Sequence, residues 1–191
     1  NGKKPSIPDA AAALAQKILD LRDSICGTSE AARRDFKVYL VAHSMGGLIC
    51  RCLLQNPEAA NAEARALVDK VFTYATPHNG IDVAGINVPQ WLSKNEANTF
   101  NREEMASYLA MQDIADANGG RVDLVPEDVL PADRIFTMVG SNRGDYEVAM
   151  GLVRAFVGHG SDGLVRVANA TVWGVDRASR RPTRPAAAAY C

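Results

Sequence analysis

The stretch KVYLVAHSMGGLICRCLL, residues 37–54, decides the fold. Val38, Tyr39, Leu40 and Val41 are the β-branched, aromatic and aliphatic side chains that pack on a pleated, buried strand. The run ends at Ala42-His43-Ser44-Met45-Gly46-Gly47, after which Leu48, Ile49, Cys50, Leu53 and Leu54 fall at helical spacing. The segment predicts a strand, a sharp turn and a helix in immediate succession.

A turn this tight brings the backbone before Ser44 close to the backbone after it, so the residues two before and two after must be small. Ala42 and Gly46 meet that need. Such a turn lifts the Ser44 hydroxyl above the sheet and sets the Met45 N–H at the start of the helix, where the helix dipole favours an oxyanion. Ser44 is the candidate nucleophile and Met45 the candidate oxyanion donor. The competing reading is a glycine-rich turn in which Ser44 merely caps the helix.

AHSMGG after an apolar strand resembles the nucleophile elbow of the α/β-hydrolases, in their lipase and esterase branch. Tyr74-Ala75-Thr76-Pro77-His78-Asn79-Gly80 and Ser161-Asp162-Gly163-Leu164-Val165 strengthen the resemblance, which extends from about Pro8 to about Asp176. It implies an α/β fold, a mostly parallel sheet flanked by helices, and hydrolysis of carboxylic esters through an acyl-enzyme. It implies no metal and no organic cofactor, and a small-molecule or lipid ester as partner. A thioesterase, amidase, acyltransferase or lipid-anchor deacylase similar to the GPI inositol-deacylases would use the same residues. A non-catalytic scaffold is the alternative of a different class.

A serine hydroxyl needs a histidine to take its proton and a carboxylate to orient that histidine. In this family the chain order is serine, acid, histidine. Asp162 is the expected acid, in a segment resembling the one that carries the catalytic aspartate of bacterial lipases, and Asp145 is the runner-up. No histidine follows Asp162. His43 lies inside the elbow, His78 on the loop after the next strand, and His159 three residues before the acid. His43 and His78 are expected to support the site rather than serve as its base. The expectation is therefore a partial domain, 1–191, whose catalytic histidine lies beyond Cys191 and whose second oxyanion donor lies before Asn1.

Composition is that of an ordinary globular domain, with 47% hydrophobic and 23% charged residues. A formal net charge of −1 gives no case for binding nucleic acid or an anionic membrane surface. No apolar run is long enough to span a bilayer. Cys50 and Cys52 sit two apart on one helix and cannot pair, which favours small core thiols and a reducing, cytoplasmic location. The triplet Asn169-Ala170-Thr171 is a glycosylation sequon that says little alone.

Along the chain, a helix is expected from Pro8, capped by Asp9, with Leu14, Ile18, Leu21 and Ile25 on its buried face. Thr28 to Asp35 reads as a polar connection. Ala59 to Leu67 reads as helix, Val68 to Ala75 as strand, and Arg102 to Ala117 as one helix. Residues 81–133, with Trp91 and Leu92, form a long insertion expected to cap the site. Arg134 to Gly140 and Ala170 to Val175 read as strands, residues 144–157 as a helix, and Arg177 to Pro185 as a surface loop.

Overall fold

The computed structural model describes residues 5–83, 86–87, 97–139 and 167–190. Its leading layer is helical: Ile7–Cys26 (α1) and the short Glu30–Asp35 (α2). Val38–His43 (β1) then runs directly into Met45–Gln55 (α3), followed by Ala62–Ala66 (α4) and Val68–Tyr74 (β2). A two-residue ribbon, Asp82–Val83 (β3) with Ile86–Asn87 (β4), precedes Arg102–Tyr108 (α5) and Gln112–Ala117 (α6). Leu124–Pro126 (β5), Ile135–Val139 (β6), Val167–Ala170 (α7), Trp173–Val175 (β7), Pro182–Pro185 (β8) and Ala187–Tyr190 (β9) complete it.

The main sheet has the order β1-β2-β6-β9, and every pairing in it is parallel. A second sheet, β5-β7-β8, pairs β5 with β7 in parallel and β7 with β8 antiparallel. The expected Ala170–Val175 strand is thus shorter and belongs to this second sheet. The expected surface loop ends in β8, whose four residues are all exposed.

The first helix starts one turn earlier than its sequence suggests. Ser6 is the N-cap, and Asp9 is the third helical residue of a capping box, accepting from the Ser6 N–H while the Ser6 hydroxyl accepts from the Asp9 N–H. Its buried face is Ile7, Ala11, Ala15, Ile18, Arg22 and Cys26, whereas Leu21 and Ile25 are exposed. Alanines at the contact let α1 lie close on α3, and that approach turns the bulkier Leu21 and Ile25 outward. Thr28–Asp35 holds α2, whose N-cap Ser29 accepts from the Ala32 N–H.

The predicted Arg102–Ala117 helix is two helices, broken at Leu109–Met111, where Ala110 takes φ 52°. The break turns Met105, Leu109, Met111 and Ile114 all into the core beside Leu48 and Leu53. Tyr108 C=O accepts from Cys52 Sγ (3.1 Å) and Asn56 Nδ2 (3.0 Å). Cys52 is eight residues past Ser44, about 12 Å along a helix axis. The α5–α6 corner of the insertion therefore packs on the far half of α3. Trp91, Leu92 and the expected helix over 144–157 lie outside the described residues.

β1 is an edge strand with strict alternation of side-chain exposure: Val38, Leu40 and Ala42 pack against the core, and Tyr39, Val41 and His43 face away. Phe72, Tyr74 and Met138 continue that outer face. Among the described residues no helix is long and apolar enough to cross a membrane.

Candidate active site

β1 delivers Ser44 to the C-terminal edge of the main sheet, the edge at which open α/β sheets bind ligands. Ser44 adopts φ 53°, ψ −128°, a conformation that L-residues rarely take, and forms no side-chain cap to α3. The capping alternative thus fails: its hydroxyl is not spent on the helix start. The backbone is held instead. Ser44 N–H donates to Tyr74 C=O (2.8 Å), and Ser44 C=O accepts from Gly47 N–H (3.1 Å) and Thr76 Oγ1 (2.8 Å). Ala75, at the end of the adjacent strand, is also at positive φ, 50°. Two strained non-glycine residues therefore sit side by side at one sheet edge, the place where such strain is found when a site is preorganised.

The size rule at the Ser44 turn falls one residue later than the sequence suggests. A Cβ on Gly46 would meet Ala42 Cβ at 3.5 Å, an ordinary contact, whereas a Cβ on Gly47 would overlap the Thr76 side chain, with Cγ2 at 2.7 Å. Gly47, more than Gly46, is where only glycine fits.

The loop Thr76-Pro77-His78-Asn79-Gly80 ties the surrounding pieces together. Arg51 Nη1 donates to His78 C=O (3.1 Å), and Asn79 N–H donates to Asn169 C=O (2.9 Å). Asn79 Oδ1 accepts from Val122 N–H (3.0 Å), and Asn79 C=O accepts from Arg102 Nε (2.9 Å). Gly80, at φ 75°, closes the turn. Asn169 is buried, so the sequon offers no accessible amide in the folded chain.

A family model described as "PGAP1-like alpha/beta domain" matches residues 11–127, well over half of the chain. The chain belongs to the PGAP1-like α/β domain family. Among solved structures it is similar to the Bacillus licheniformis lipase BlEst2. The mature form gives a TM-score of 0.51 at 22% identity over 86% of this chain and 61% of that one. The propeptide form gives 0.50 at 21% identity over 90% and 36%. The chain thus spans less than two thirds of the mature lipase chain and about a third of the propeptide form. No curated protein matches it. The fold of this PGAP1-like domain is a lipase-like α/β-hydrolase fold.

Neither described histidine of the PGAP1-like domain hydrogen-bonds the Ser44 hydroxyl. His43 is exposed on the outer sheet face and stacks on Tyr74, ring centroids 5.6 Å apart. His78 is fully buried, with Nε2 3.0 Å from Thr73 Oγ1 and Nδ1 without a partner. Asp162, Asp145 and His159 lie outside the described residues. Among the described residues, Cys26, Cys50 and Cys52 are free and buried. Burial pushes the Cys50 thiol up to about 11 and Cys52 up to about 12, so neither is a thiolate nucleophile at neutral pH. Among the described residues no cluster of His, Cys, Asp and Glu is placed to hold a metal ion.

Sequence reading passed over Arg51 and Thr76. Arg51 is 3% exposed; besides His78 C=O it donates to Gln55 Oε1 (2.8 Å) and Leu124 C=O (2.9 Å). Burial lowers its pKa to about 10, with Asp123 opposing, so it remains a cation at neutral pH. The available signal was a lone charge inside the apolar run LICRCLL, since arginine is almost never buried unpartnered.

Burial, reinforced by the Arg51 charge, holds the His78 imidazole well below its ordinary 6.5. The folded chain keeps His78 neutral, while the unfolded chain protonates it near 6.5, so the unfolded state binds the extra proton and stability falls as pH drops below that value. The expected slope is about 1.4 kcal/mol per pH unit from this group. Urea midpoints at pH 7 and pH 5 measure it. His78→Gln should flatten the slope, and an undiminished slope in that variant would remove His78 as the cause.

Proposed function

We propose that the protein hydrolyses carboxylic esters, of small molecules or lipids, through an acyl-enzyme on Ser44. The observation that carries this reading is the strained Ser44 at the strand–helix apex, its hydroxyl uncommitted and the first amides of α3 directly behind it. Helix-start amides have no intrahelical acceptor, which suits them to a developing oxyanion. Ser44 Oγ attacks the carbonyl carbon, its proton passes to an imidazole base, and the oxyanion accepts from the Met45 N–H. Collapse expels the alcohol, which takes the proton back, and water then releases the acid by the same steps in reverse. Asp162 orients the imidazole in this scheme. With His43 stacked on Tyr74 and His78 sealed against Thr73, the base is a histidine other than these two. Residues 81–133 contribute to substrate choice, although α5 and α6 are bound into the core and do not move as a free lid.

Treating the protein with a fluorophosphonate and mapping the adduct by mass spectrometry tests the assignment. A single adduct on the peptide containing Ser44 is expected. An adduct elsewhere, or none on a protein that turns over p-nitrophenyl butyrate, would overturn it. Initial rates on matched ester, thioester and amide panels distinguish ester hydrolysis from the related acyl-transfer chemistries.

A further inference from the structure

We propose that Thr76 is a positioning residue that aims the oxyanion donor, an inference that rests on the Ser44 reading above. The Ser44 carbonyl and the Met45 N–H belong to one peptide unit, and that unit is planar and rigid. Whatever fixes the direction of the carbonyl oxygen fixes the direction of the N–H on the opposite side. Two donors grip that oxygen: the Gly47 N–H of the same helix at 3.1 Å and Thr76 Oγ1 from the neighbouring strand end at 2.8 Å. The first moves with α3. The second is the one that references the peptide to the sheet.

Thr76 is itself well anchored. It is 1% exposed, its C=O accepts from His78 N–H at 2.9 Å, and the residue before it donates to Met138 C=O at 2.9 Å. Arg51 holds the next stretch of the loop through His78 C=O. The missing side chain at Gly47 makes the approach possible, because a Cβ there would displace Thr76 from the bond. Glycine at 47 and threonine at 76 thus form one clasp on the peptide that carries the donor. The clasp acts on the developing oxyanion more than on the resting substrate, so its loss falls on kcat rather than KM.

The test compares Thr76→Val, which keeps the shape and removes the hydroxyl, with Thr76→Ser, which keeps the hydroxyl, in the full-length protein. Thr76→Ala, also without the hydroxyl, takes the place of valine if that variant does not fold. With p-nitrophenyl butyrate, Thr76→Val should lower kcat about tenfold, the effect of one lost hydrogen bond, with KM changed less than about twofold. The inhibition constant of a trifluoromethyl ketone, whose adduct places an oxyanion at the site, should rise by a similar factor. Thr76→Ser should stay within about threefold of the parent on both. Unchanged kcat and inhibition constant in Thr76→Val, or equal losses in the valine and serine variants, would overturn the proposal. Ser44→Ala runs beside them: undiminished turnover in that variant would sink the nucleophile reading, whatever the Thr76 variants do.

Discussion

Ser44→Ala should lower kcat for p-nitrophenyl butyrate by about 10⁴- to 10⁶-fold, the range seen when one member of a serine–histidine–acid unit is removed. The loss is this large because the buried thiols among the described residues cannot take over the acyl-enzyme. Cys50 and Cys52 are buried with thiols pushed up to about 11 and about 12, and they point into the core. The fold should be spared, since the Ser44 hydroxyl makes no cap to α3 and the strained turn is held by backbone bonds to Tyr74, Gly47 and Thr76. Relieving a positive φ is not at issue, as alanine carries the same Cβ as serine. Steady-state rates and urea unfolding of both proteins make the measurement. Turnover within tenfold of the parent would show that Ser44 is not the nucleophile.

Arg51→Met should lower the unfolding free energy by about 3–5 kcal/mol, among the largest single effects available in this chain. Methionine fills much of the volume and adapts to the cavity, so lost packing is the minor part. The major part is desolvation: Gln55 Oε1, His78 C=O and Leu124 C=O would each lose their donor in a site sealed from water. A buried acceptor left unsatisfied costs about 1–3 kcal/mol. Arg51→Lys should recover only part of the loss, because one ammonium on a flexible stem cannot reach three acceptors from the positions of a planar guanidinium. Urea midpoints with unchanged slopes are the readout. A methionine variant as stable as the parent would mean that these carbonyls find other donors when the guanidinium is gone.

What the sequence alone determined about this protein is local. The apolar run from Val38, the small residues around Ser44 and the helical spacing after Gly47 specify a strand, a turn and a helix, because strand propensity, steric size and periodicity all act within a few residues. The fold class followed from the resemblance to the α/β-hydrolases carried by that stretch, by Tyr74–Gly80 and by Ser161–Val165. Tertiary structure decided the rest. Ala11 and Ala15, not Leu21 and Ile25, face α3, since a close helix–helix approach favours small side chains and periodicity cannot say which apolar stripe wins. Residues 102–117 break at Ala110 because Met105, Leu109, Met111 and Ile114 must all reach one core. His78, expected to support the site from the loop after the strand, is sealed beside Thr73. Arg51 and Thr76 acquire their meaning from partners 27, 73 and 32 residues away, at His78, Leu124 and Ser44. Contacts at such separations leave no periodic trace in the chain; only the folded sheet brings them together.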